Sequence, residues 1–259
     1  MFSPSGPSSR ELVIQALSSV ERGYDLLAPK FDHTPFRTPD GVLDATAGAL
    51  RRLGPFERGL DVCCGTGAGT RALLPLCREG VTGVDFSAGM LEQARRARIE
   101  GALAEGERAE GALAEGALAE GARLEWVRAD ARMLPFGASF DLAVTFGALG
   151  HFLPAERLAL FAGVRRALRP GGLFAFPIGG PPPIGSARYW ALLGFDLAMR
   201  VRNALWRPPF VMYYGTGWLG AVRADLVAAG FTVTTVPLAA LGRRADGSPR
   251  CRLVLARRP

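Results

Sequence analysis

Two hydrophobic rhythms alternate along the chain. Short, mostly apolar runs of strand length recur at 59–64, 81–85, 140–146 and 172–178, and 124–128 reads as a further strand. Between them, apolar residues return at helical spacing over 68–78, 88–99 and 155–168. Strand and helix in turn predict a mostly parallel sheet with helices on both faces, and such sheets bind ligands at the carboxyl ends of their strands.

Upstream, Ser8 and Glu11 have the spacing of a capping box, and Leu12, Ile14, Ala16, Leu17 and Val20 supply the apolar positions of a short helix. A linker with Pro29, Pro35 and Pro39 leads to a second helix over 41–53. Downstream, Gly179 to Pro183 break regular structure, and 186–206 predicts one amphipathic helix. Asp196, Arg200, Asn203 and Arg207 make a polar stripe on it, with Asp196 and Arg200 placed to pair. Trp190, Leu193, Leu197, Val201 and Leu205 lie on another side. A helix near 218–229 and strands near 231–236 and 251–256 complete the chain.

Five pentads interrupt this order, from Gly101-Ala-Leu-Ala-Glu to Gly121-Ala-Arg-Leu-Glu. Ala, Leu and Glu favour helix, but glycine at every fifth residue costs about 1 kcal/mol each relative to alanine. A period of five also fits no solenoid and builds no single apolar stripe. The segment 101–122 is expected to be a low-complexity insert, with a protein-docking arm as its functional rival.

The densest chemical signal follows the first apolar run: Asp61-Val62-Cys63-Cys64-Gly65-Thr66-Gly67-Ala68-Gly69. Glycines let backbone approach a ligand closely, and amides entering a helix form a polar cradle. Thr70 stands where a dinucleotide fingerprint requires glycine, and no Gly-Lys-Ser/Thr follows for a phosphate loop. The next strand ends in Asp85, 24 residues after Asp61, and the third in Asp130. Strand four leads into Phe146, Gly147 and His151, and Leu168-Arg169-Pro170-Gly171-Gly172 precedes strand five.

This series resembles the class I S-adenosylmethionine (SAM) dependent methyltransferases. The Cys-Cys-Gly-Thr-Gly form is similar to that of enzymes of ubiquinone and menaquinone biosynthesis. The resemblance implies a Rossmann-like α/β fold, a seven-stranded mostly parallel sheet with helices on both faces, an antiparallel C-terminal hairpin and a helical cap. Residues 1–58 would form a leader and cap, and 59–259 the methyltransferase domain with insertions at 101–122 and 181–216.

SAM is the cofactor the resemblance implies, with no metal. Asp61, Cys63, Gly65, Thr66 and Gly67 would border its methionine part, Asp61 orienting the ammonium. Asp85 would accept from both ribose hydroxyls, with Phe86 and Met90 alongside. Asp130 and the N–H of Ala131 would meet the adenine, and Phe146 and Gly147 the methionine end. Tyr24 would cover the pocket. His151 has two readings, a general base near neutral pKa or a wall residue that only hydrogen-bonds. Phe31, His33, Trp190, Met212, Tyr213 and Tyr214 are the candidate walls for a mostly apolar small-molecule acceptor, methylated on oxygen, nitrogen or carbon.

Composition narrows the alternatives. The 31 basic against 24 acidic residues give a net charge of +7, yet Lys30 is the sole lysine, which weakens the excess as a nucleic-acid signal. Strand four lacks the Asp/Asn-Pro-Pro-aromatic of amino-methylating nucleic-acid enzymes, so RNA or another nucleic acid is a rival acceptor rather than the first choice. A SAM-binding protein without turnover is the other alternative. Cys63, Cys64, Cys77 and Cys251 have neither zinc nor disulfide-framework spacing, and Cys63 and Cys64 read as strand neighbours pointing to opposite faces. With no signal-peptide order at 1–9 and no run of about 18 apolar residues, a cytoplasmic protein without a transmembrane segment is expected.

Overall fold

The structure, a computed structural model, describes residues 5–97, 123–215 and 219–259. The seven strands β1 (Phe56–Val62), β2 (Cys77–Asp85), β3 (Arg123–Arg128), β4 (Phe140–Val144), β5 (Leu168–Gly179), β6 (Thr232–Pro237) and β7 (Cys251–Arg257) form one sheet. Their order is β3-β2-β1-β4-β5-β7-β6. The first five are parallel, and β7 runs antiparallel to both β5 and β6. The chain winds outward from β1 to β3 and then returns to β4 on the other side of β1. That reversal opens a crevice at the carboxyl ends of β1 and β4.

The period-two alternation of buried strands divides the core. Leu60, Phe174 and Phe176 join the layer with Leu160, Phe161, Val222 and Leu226. Those four lie on α6 (Pro154–Ala167) and α8 (Leu219–Ala228). Leu142, Leu173 and Ala175 point to the other layer with Leu50 and Leu73, on α3 (Asp40–Arg51) and α4 (Ala68–Leu73). Upstream lie α1 (Ser9–Leu17) and α2 (Val20–Leu27), and the expected capping box is present at Ser8 and Glu11. The helix following β2, α5, is described over 88–97. The pentads lie outside the described residues.

Boundaries moved where backbone chemistry demanded it. The helix expected over 68–78 stops at Leu73, because Pro75 falls in a 3₁₀ turn (Leu74–Leu76), and β2 starts at Cys77. Strand β4 ends at Val144, so Phe146 leaves the sheet.

The larger correction concerns α7 (Ala187–Leu205), which is one helix as expected but is turned over. Asp196 and Met199 face the body of the protein, whereas Trp190, Leu193, Leu197, Val201 and Leu205 face solvent. Asp196 does not pair with Arg200; its two oxygens accept the N–H groups of Tyr214 (2.8 Å) and Gly215 (2.7 Å). Asn203 likewise accepts from Phe210 N–H (2.8 Å) and donates to Phe210 carbonyl oxygen (3.0 Å). The extended segment beyond α7 has no sheet partner, and the polar stripe satisfies its backbone instead.

Candidate functional site

Strand β1 ends at Val62 and the chain turns at once through left-handed backbone at Cys63 (φ 59), Gly65 (φ 53) and Gly67 (φ 82). Cys63 and Cys64 therefore lie in the turn, not on the strand, and among the described residues Cys63 is the one non-glycine with positive φ. That conformation costs an ordinary side chain about 1–2 kcal/mol. A Cβ on Gly65 would meet nothing within 4 Å, because the position opens onto a cavity. At Gly69 a Cβ would lie 2.5 Å from the Phe146 ring and 2.8 Å from Asp61 Oδ2, so only glycine lets those groups close over the turn.

The cavity beside this turn holds about 810 Å³, within the upper part of the range of roughly 300–1,000 Å³ for small-molecule sites. Asp61 lies at its floor, 1% exposed. Its Oδ2 accepts from Thr70 Oγ1 (2.8 Å), while Oδ1 is buried without a partner. Burial pushes this carboxyl up to about 7. Asp85 is also buried, which raises its pKa against the opposing effect of its hydrogen bonds. One oxygen accepts from Gly65 N–H (2.9 Å) and the other from Ser87 N–H (2.9 Å), with the Phe86 N–H also turned to this carboxyl. Asp130 is bound to Arg132, whose Nε and Nη2 reach its oxygens at 3.0 and 2.6 Å and hold it below the usual carboxylate range. Arg132 also pairs with Glu156.

The N-terminal helices are pinned across the cavity by two acids that local sequence did not mark. Asp25 Oδ1 accepts from Ser87 Oγ (2.6 Å) and Gly89 N–H (2.9 Å), at the start of α5. Asp32 Oδ1 accepts from Thr66 Oγ1 (2.7 Å). Their partners stand 34 to 64 residues away, beyond any periodicity or motif.

On the cap side, Tyr24 Oη lies 2.7 Å from His151 Nε2, and His151 Nδ1 lies 2.7 Å from the carbonyl oxygen of Val211. A carbonyl oxygen only accepts, so Nδ1 carries the proton and Nε2 accepts from the Tyr24 hydroxyl. Burial pushes the His151 ring below, and the Tyr24 phenol above, their ordinary values. Both are neutral at rest. The Tyr24 and Phe210 rings stack at 6.4 Å.

The large cavity gathers Tyr24, Phe31, Asp61, Cys63, Gly65, Thr66, Asp85, Phe86, Met90, Asp130, Ala131, Phe146, Gly147 and His151. Met212, Tyr213 and Tyr214 line a smaller cavity of about 200 Å³ that shares Gly147 and His151 with it. Three expected residues fall elsewhere. Gly67 packs beneath Trp126, where a Cβ would lie 2.5 Å from the ring. His33 ends a 3₁₀ turn (Ala28–His33) with its side chain exposed, and Trp190 is 57% exposed on the outer side of α7. Phe36, Arg37, Pro208 and Pro209 also line the cavity, from loops without a motif; all but Arg37 fall in the cap segments 24–36 and 186–214 expected to enclose the acceptor.

Comparison with known proteins agrees with this architecture. Residues 60–172 match a methyltransferase domain family. An uncharacterised methyltransferase of Synechocystis sp. is 30% identical over 200 residues, covering 73% of this chain and 74% of that protein. A SAM-dependent methyltransferase from Methanosarcina mazei superposes with a TM-score of 0.55 at 19% identity, over 81% of this chain and 96% of its own. The DhpI–SAM–HEP complex gives 0.59 at 19% identity, over 98% and 100%. At that identity the two solved structures speak for the fold alone.

Proposed function

This chain belongs to the SAM-dependent methyltransferases, with SAM as its cofactor, and on that premise we propose that it methylates a mostly apolar small molecule in the large cavity. The observation that carries the proposal is the cavity's two-sided chemistry. Buried carboxylates line the strand ends, and Tyr24, Phe31 and Phe36 line the cap.

The donor set fits SAM. The unpartnered Oδ1 of Asp61 would receive the ammonium group, an interaction that offsets the cost of a buried bare oxygen. Asp85 would receive the ribose hydroxyls beside its backbone N–H partners. Gly65 leaves open space where a side chain would intrude. The Ala131 N–H and the outer edge of Asp130 would meet the adenine, the latter with Arg132 fixing its orientation. Bound SAM supplies a methyl group on a sulfonium, open to direct displacement by a lone pair. The protein's task is then to align the acceptor and exclude water, which needs no covalent nucleophile.

For a hydroxyl acceptor, Tyr24 and His151 would work as a unit. The acceptor would give its proton to Tyr24 Oη while Tyr24 passes its own to His151 Nε2, and the Val211 carbonyl would steady the resulting imidazolium through Nδ1–H. His151 would thus act as a base through Tyr24 rather than at the acceptor itself. An acceptor screen across phenols, quinones, amines, fatty acids and short RNAs, read by S-adenosylhomocysteine release, tests the acceptor class. Turnover on small apolar compounds is expected; turnover on RNA alone would contradict it.

A further inference from the structure

The outward side of α7 carries no charge. At about 100° per residue, the positions farthest from buried Asp196 and Met199 are Trp190, Leu193, Leu197, Val201 and Leu205, interleaved with Ala187, Ala191, Gly194, Ala198 and Ala204. Leu197 is 61% and Leu205 81% exposed. Exposed arginines border this face, Arg188 along one edge and Arg200, which lies over the Tyr213 ring, along the other; Arg202 turns inward, its guanidinium bonded to the carbonyl oxygens of Ser18 and Pro208. The helix has a single acid, Asp196, which is buried and bound to backbone N–H groups.

Helix α1 widens the surface. Trp206 Nε1 donates to the carbonyl of Leu17 (3.1 Å) and Arg202 Nη2 to that of Ser18 (3.0 Å), so the end of α1, with exposed Leu17, lies beside the end of α7; Val13 and Ile14 are exposed one turn back along α1. Just ahead of α7, Ile184 is 88% exposed.

We propose that this face docks on an anionic lipid bilayer, with α7 lying along the membrane surface. An uncharged helical face edged by exposed arginines is the pattern of an interfacial helix: the apolar side enters the acyl boundary, and Arg188 and Arg200 stand where lipid phosphates would meet them. Trp190 and Trp206, one near each end, suit the headgroup level. Among the described residues no helix is long and apolar enough to cross a membrane, so α7 lies on the bilayer rather than through it. Charge decides against a second copy as occupant. Two such faces together would oppose their arginines with no exposed acid on α7 to pair them, and the whole chain carries +7.

Vesicle co-sedimentation of the full chain tests this without SAM or any acceptor, so its outcome is independent of the proposed reaction. Phosphatidylcholine vesicles containing phosphatidylglycerol should bind the protein, and vesicles of phosphatidylcholine alone should bind on the order of tenfold less. The double variant L197S/L205S alters only exposed side chains and should lose on the order of tenfold or more in binding, with its melting temperature unchanged. Three results would overturn the proposal. The first is no binding to the anionic vesicles. The second is binding by the double variant equal to that of the parent, which would mean general electrostatic adsorption. The third is a dimer in light scattering that the double variant makes monomeric, which would mean that a second copy covers the face.

Discussion

The hydroxyl of Tyr24 and Nε2 of His151 stand 2.7 Å apart, with the histidine proton fixed on the opposite nitrogen by Val211. A helix of the N-terminal segment and the turn after β4 thus share one hydrogen-bonded pair, 127 residues apart in sequence. Neither residue alone offers the acceptor a free base.

If the pair acts as a unit, Tyr24→Phe and His151→Gln should each lower turnover of a hydroxyl acceptor by about 10²-fold, with little change in S-adenosylhomocysteine affinity. The double variant should be scarcely slower than either single one. The rising limb of the pH–rate profile should vanish in both. Multiplicative losses in the double variant would count against a shared role.

Cys63 tests the strained turn. A β-branched side chain at φ 59 is strongly disfavoured, so Cys63→Val should cost about 1–3 kcal/mol in denaturant unfolding. Cys63→Gly should cost less than Cys63→Val, since glycine adopts this backbone freely. The reverse ranking would show that packing of the thiol, not backbone conformation, dominates the site.

Asp25 tests the pinning of the cap. Asp25→Ala removes the acceptor for Ser87 Oγ and the Gly89 N–H at the start of α5. It should cost about 1–2 kcal/mol and speed proteolysis of the N-terminal helices. Unchanged protection of residues 5–40 in hydrogen exchange would remove Asp25 from this role.

Asp61 sets a pH dependence whose sign is fixed. Folded, it keeps its proton up to about pH 7; unfolded, it loses it near the ordinary value of about 4. Between those values the native state binds the extra proton, so the ligand-free protein should lose stability as pH rises through this window. Asp61→Asn should flatten that slope. A melting profile with the same slope in parent and variant would place the titration elsewhere.

Much of the sheet was legible because a strand buried on both faces announces itself as an uninterrupted apolar run, and the carboxylates fall where those runs stop. Asp61 and Asp85 could be placed at strand ends for that reason, whereas Asp130 follows β3, an edge strand without a buried residue, and was placed by the family resemblance. The orientation of α7 was not legible: spacing reveals that Asp196 and Asn203 share a stripe, but not that an extended segment would need that stripe for its own N–H and carbonyl groups. The same holds for Asp25 and Asp32, whose partners are brought near only by the crossover connections. Trp190 was misplaced on the assumption that a helix's apolar side faces inward.

Calorimetric titration of S-adenosylhomocysteine into the parent protein, Asp85→Ala and Asp61→Asn tests the site most directly. The parent should bind, and each variant, folded by circular dichroism, should bind on the order of tenfold or more weakly, because each loses a charge-assisted partner in a buried setting. Equal affinity in all three would contradict the assignment of these carboxylates to the cofactor.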